Sequence, residues 1–189
     1  MIRLLLRPLG FVAPAFALSI VLAGTATAQD IEGARDFGDL PRVAAATIRA
    51  YKIETREPVV LPLGRFSASD DQLPNTITLE GHVTHTDYVV RPRQTADAMA
   101  RYYDDRLRDA DYRIILSCAG ISGCGPSMGS FILNDGVVAP VGFADGLFHD
   151  HLQVRVARKD DTWILLHMIQ GPDRALVYQV VIEGARELK

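Results

Sequence analysis

From Thr76 to Val90 apolar and polar residues alternate, with Ile77, Leu79, Val83 and Val89 on odd positions and Thr78, Glu80, His82, Thr84 and Thr86 on even ones. A period of two predicts a β-strand whose odd residues point toward a core. The run is long for one strand, and Gly81 is the natural place for a bulge or bend. Upstream, Thr47 to Thr55 predicts another strand, while Pro58 and Pro62 confine Val59 to Leu63 to a sheet edge or bulge. After Arg91-Pro92 the period changes. Met99, Tyr102, Tyr103, Leu107 and Ala110 recur at threes and fours, which predicts a helix over 96–110 that packs one stripe on the sheet, with Thr95 capping its first amides. Asp97 with Arg101 and Asp104 with Arg108 are spaced to pair along its wet side.

Tyr112 to Cys118 predicts a strand with Tyr112, Ile114, Leu116 and Cys118 on the core face. Leu152 to Ala157 alternates again, Trp163 to Ile169 is apolar on both faces and so central, and Leu176 to Ile182 is a last strand. Turns at 159–162 and 171–174 join these three into an antiparallel meander. The expected fold is thus a single α+β domain: a mainly antiparallel sheet of about six strands, one main helix packed on it, and one disulfide. The stretch 125–150 fits no period. It holds Phe131, Ile132, Leu133, Phe143, Leu147 and Phe148, too apolar for a solvated linker, with Asn134-Asp135-Gly136 able to turn a hairpin. Either it covers the core, or it leaves an apolar surface for a partner.

The first 28 residues read as a cleaved signal peptide. Arg3 and Arg7 supply the positive start, Leu9 to Ala23 the apolar run, and Ala26-Thr27-Ala28 the small-residue pattern that places the cut between Ala28 and Gln29. No later run approaches the ~20 apolar residues that cross a bilayer, so no transmembrane segment is expected in the mature chain. Its charge falls from −3 to −5, because 20 basic residues become 18 against 23 acidic ones. A mildly acidic chain without a Lys/Arg run argues against nucleic acid as a partner. Cys118 and Cys124 lie among Gly120, Gly123 and Gly125, which predicts one short disulfide loop in an oxidising compartment. Their spacing is not the C-x-x-C of redox-active dithiols.

Candidate chemistry is thin. Gly125-Pro126-Ser127-Met128-Gly129 matches G-x-S-x-G, but that elbow needs a strand entering and a helix leaving, and the sequence offers a disulfide loop before it and no helical pattern after it. His149 and His151 share a face of an extended strand but lack a third metal ligand nearby. His82 and His85 fall on opposite faces; His85 and Asp87 share one, an orienting geometry for a general base without an adjacent nucleophile. His167 reads as a hydrogen-bonded core histidine. No catalytic residue, metal ligand or cofactor is expected.

Several pieces together resemble a family of exported bacterial domains of unknown function that also occurs as the N-terminal domain of OmpA-like outer-membrane proteins. They are Asp30, Gly33 and Asp36, then Leu61-Pro62-Leu63-Gly64, Leu79-Glu80-Gly81-His82-Val83-Thr84, the Tyr-bearing helix, and Ser117-Cys118-Ala119-Gly120 with Cys124-Gly125. Two positions depart from the family pattern: Phe37-Gly38-Asp39 replaces a His-Pro pair, and Asp111 stands where a glycine commonly ends the helix. The resemblance implies a compact α+β module in the periplasm, in reach of the outer membrane, and supplies no catalytic residues. The expected role is a non-enzymatic envelope module that binds a protein or small ligand; the alternative is a periplasmic hydrolase whose site is assembled from distant residues such as His85, Asp87 and Ser127.

Overall fold

A computed structural model describes residues 29–67, 75–133, 137–143 and 151–189. The elements run β1 (Ala46–Pro62), β2 (Thr76–Val90), α1 (Ala96–Asp109), β3 (Arg113–Ala119), α2 (Gly120–Cys124), α3 (Met128–Leu133), β4 (Leu152–Lys159), β5 (Thr162–Gln170) and β6 (Ala175–Glu187). The six strands form one sheet in the order β1-β2-β6-β5-β4-β3, with every neighbouring pair antiparallel. The sheet, the meander and the Cys118–Cys124 disulfide are those expected. The helices are not: α1 is joined by α2 and α3, of five and six residues, too short to register as a period.

Both faces of the sheet are covered, because the two long connections cross it on opposite sides. The β2-to-β3 connection carries α1, whose Met99, Ala100, Tyr103 and Leu107 pack on Ile164, Leu166, Met168 and Val177. Thr95 caps it by accepting from the Ala98 amide at 3.1 Å. On the opposite face, the β3-to-β4 connection lays Met128, Phe131, Ile132 and Val138 on Val154, Leu165, Tyr178 and Val180. With two cores instead of one, even-numbered residues of β2 are buried too: Tyr88 and Val90 face the α1 side. Central β5 is apolar on both faces for the same reason.

Two local expectations are corrected, and one position is explained. Asp97 and Asp104 do not pair with Arg101 and Arg108; they reach the sheet, where Gln153 donates to Asp97 at 2.7 Å and Arg155 makes a two-pronged contact with Asp104 at 2.7 and 3.0 Å. Gln153 and Arg155 are buried on the α1 side, so these carboxylates satisfy polar groups that would otherwise be orphaned. Ile114 is exposed, since β3 is an edge strand and a bulge between Ile114 and Leu116 shifts the phase of the row. Asp111 takes the left-handed conformation, φ 62°, where a glycine would be free of strain.

The expected bulge at Gly81 is present, between Glu80 and His82 in the ladder with β6. A Cβ at Gly81 would stand 2.7 Å from the Glu183 carbonyl, so the close approach needs glycine. The outer edge of β1 is shielded at both ends. Asp30 accepts from the Ile48 amide at 2.7 Å, Ile31 donates to the Ile48 carbonyl, and Val60 donates to Val137. Arg42 fastens the N-terminal segment there, bonding Asp30 at 2.6 Å and both Asp36 oxygens at 2.8 and 2.9 Å beneath the Tyr88 ring. Its hydrogen bond holds the Asp30 carboxyl below the usual carboxylate range. Two acidic residues of the N-terminal segment thus meet on one guanidinium.

Candidate functional site

On the face opposite α1, a cleft of about 420 Å³ opens between β1, β2 and the strap 137–143. Its composition follows from a register shift in β1 between Thr55 and Glu57. Before the shift Lys52 and Glu54 face the cleft; after it Glu57 and Val59 do, because one extra residue inverts the parity of a strand. Arg56, the extra residue, has φ 61°. One wall is therefore charged, and the other, made of Val59, Val138 and Phe143, is apolar.

His85 forms the floor. Only 2% exposed, it meets the Tyr178 hydroxyl through Nδ1 at 2.7 Å, and Tyr178 donates to the Val138 carbonyl at 2.9 Å. A phenol has one proton, so with that proton on Val138 the Nδ1–H must donate to Tyr178, and Nε2 is left as an acceptor. Burial pulls the His85 pKa from 6.5 to about 4, against the opposing charge of Glu54, so the ring is neutral at pH 7. Burial also raises the Tyr178 hydroxyl well above its ordinary value, and the carboxylates of Asp87 and Glu54 push the same way. Nε2 lies 3.4 Å from Glu54 Oε2, and the other oxygen of Glu54 takes Lys52 at 2.5 Å. Two acceptors thus face each other across a gap. Phe143 stands roughly perpendicular to both His85 and Tyr178, with ring centroids 6.0 and 6.4 Å away.

The residues singled out in the sequence do not converge. Asp87 shares the face of His85, but its carboxylate is buried against Arg49, with contacts of 2.7 and 2.8 Å. Ser127 is not among the residues lining the cleft. A short helix does follow it, contrary to expectation, yet α2 and not a strand precedes it, so the elbow is not formed. Gly125 serves packing: a Cβ there would fall 2.0 Å from the Phe66 carbonyl. Cys124, fully buried, accepts from the Phe66 amide at 2.8 Å, so the disulfide loop docks that segment. His82 lies on the other face, beside Thr84 and Glu183. His167 is buried in β5, and desolvation lowers its pKa to about 4.

Phe131, Ile132 and Leu133 are buried in the core at 9, 0 and 6% exposure, so of the two readings of this stretch they follow the one in which it covers the core, and they form no partner surface. The alternation that hides them is helical: α3 turns them inward against Val154 and Leu165. Phe143 is half-buried and lines the cleft, Val141 is exposed, and Leu147, Phe148 and His149 lie outside the described residues. So do the expected leader and Ala28; Gln29 is exposed. Among the described residues no group of three or more His, Cys, Asp or Glu could hold a metal ion, and no helix is long and apolar enough to cross a membrane. No family model matches the chain, and no curated protein matches it.

Proposed function

We propose that this chain is an exported, non-enzymatic module of the cell envelope that binds a small ligand in the cleft between β1, β2 and the 137–143 strap. The observation that carries the reading is His85, held by a buried Tyr178 so that its acceptor nitrogen lines a cleft with one apolar and one charged wall. Ligand sites combine apolar surface with a few fixed polar groups that set orientation. Hydrolysis finds less support, because the Tyr178 hydroxyl bonded to His85 is fully buried and its proton is committed to a carbonyl. Export is supported by the leader pattern at 1–28 and by the Cys118–Cys124 bond, which belongs to an oxidising compartment. The resemblance to the exported, OmpA-associated family supports the same location.

Native mass spectrometry of the protein isolated from an envelope fraction tests both halves. A disulfide-bonded chain starting at Gln29, with a small molecule bound that Phe143→Ala releases, is the expected result. Full-length chain in the cytosol with both thiols open to alkylation overturns the export, and a ligand retained in Phe143→Ala overturns the cleft.

A further inference from the structure

The polar end of the cleft limits what can fill it. His85 Nε2 and Glu54 Oε2 stand 3.4 Å apart and both accept, and His85 is 2% exposed, so its nitrogen has little solvent to turn to. The tautomer is fixed from behind by Tyr178 and Val138. Lys52 takes the other oxygen of Glu54 at 2.5 Å, which leaves Oε2 toward His85. The gap therefore calls for a donor that serves two acceptors at once. A nitrogen about 2.9 Å from each would see them roughly 70° apart, within reach of two protons on one tetrahedral nitrogen through bent bonds.

Charge and shape narrow the class. Glu54 and Glu57 against Lys52 leave the lining one negative charge in excess. A metal ion is poorly served, since the described residues offer no cluster of three ligating groups. The apolar wall of Val59, Val138 and Phe143 stands next to the polar end and asks for a hydrocarbon stem. Phe143 also presents a ring, which favours a cation over a neutral donor.

Resting on the ligand-binding reading above, we propose that the cleft takes a small primary amine in its ammonium form, with the nitrogen bridging His85 Nε2 and Glu54 Oε2 and its apolar stem along Val59, Val138 and Phe143. Lys52 is then a resident competitor, its own ammonium already on Glu54. That gives two substitutions opposite effects. Glu54→Gln weakens binding at least tenfold, and Lys52→Met tightens it a few-fold.

The test is a titration of the purified full chain, followed calorimetrically and by NMR, with phenethylamine, 2-phenylethanol, 3-phenylpropionate, phenylguanidine and zinc ion alone. The expected result is binding of phenethylamine that moves the signals of His85 and Phe143, with the two opposite substitution effects. If the alcohol, the carboxylate or the guanidine moves the same signals at equal or lower concentration, the ammonium class is overturned and the cleft reading stands. Tighter zinc binding at His85 likewise overturns the ammonium and makes the polar end a metal site. If no organic probe moves the cleft signals, both readings fall.

Discussion

Acidification should unfold this protein through two histidines. His85 and His167 are each about 2% exposed, and burial moves each from an ordinary pKa of 6.5 to about 4. In the unfolded chain both take up a proton near pH 6.5; in the folded one they resist until about pH 4. The unfolded state therefore binds more protons across that window, and stability falls as pH falls through it. Each histidine costs about 3 kcal/mol over the full window, at roughly 1.4 kcal/mol per pH unit. Together they remove about 6 kcal/mol, comparable to the whole stability of an ordinary domain. Asp30, held below its usual value by Arg42, yields its share only at lower pH and does not blur the window. Urea midpoints at pH 7.0, 5.5 and 4.5 measure the loss. His167→Gln cannot titrate, so its curve should be shallower than wild type by about one proton, roughly 1.4 kcal/mol per pH unit. Parallel curves for the two proteins, or a His167 ring signal titrating near pH 6.5, would refute the reasoning.

Arg42→Ala should release the N-terminal segment from the edge of β1; since the cluster is partly exposed, about 1 to 2 kcal/mol is lost, read as faster hydrogen exchange at the Ile48 amide and a lower urea midpoint. Removing the disulfide as Cys118→Ala with Cys124→Ala should cost about 2 kcal/mol for so short a loop, and a midpoint unchanged under reducing conditions in wild type would contradict it. Gly125→Ala meets the Phe66 backbone and should cost at least ~3 kcal/mol, whereas Gly123→Ala, whose nearest contact is 4.0 Å away, should cost less than about 1 kcal/mol by thermal melting. Ile132→Ala should cost about 3 to 4 kcal/mol and Val141→Ala, 91% exposed, within about 0.5 kcal/mol; equal effects would place the apolar stretch wrongly.

The sheet was legible wherever pattern and punctuation agreed. Lys159 to Thr162 and Gly171 to Arg174 break three runs into a meander, and a strand apolar on both faces, as β5 is, has to be central. What stayed hidden depended on register and on short elements. Glycine at 81 signals a bulge through its missing side chain, but Arg56 and Ile115 carry no such mark. In α3 six residues bury five, a pattern without the repeat that identifies a helix. Along its own strand His85 has Asp87 two residues on, but Arg49 already occupies that carboxylate. Its actual partner is Tyr178, on the neighbouring β6, where the ladder sets Val180 opposite His85 and Tyr178 opposite Asp87. Only the β2–β6 register reveals that diagonal, and register is a tertiary property.

The cleft and the edge of the sheet share one cause. An outermost strand invites pairing with other chains unless charge, proline or a bulge spoils it. β1 uses all three within Lys52 to Pro58. Its charges keep the edge hydrated, and the added residue at Arg56 then swaps faces so that Val59 and Leu61 return to the core. The same swap sets Glu54 and Val59 side by side on one face, and that pairing of a carboxylate with an apolar wall is what the strap encloses over His85. Deleting Arg56 would send either Lys52 and Glu54 or Val59 and Leu61 to the opposite face, and no register keeps both. Protection of the edge and the character of the cleft therefore stand or fall on one residue.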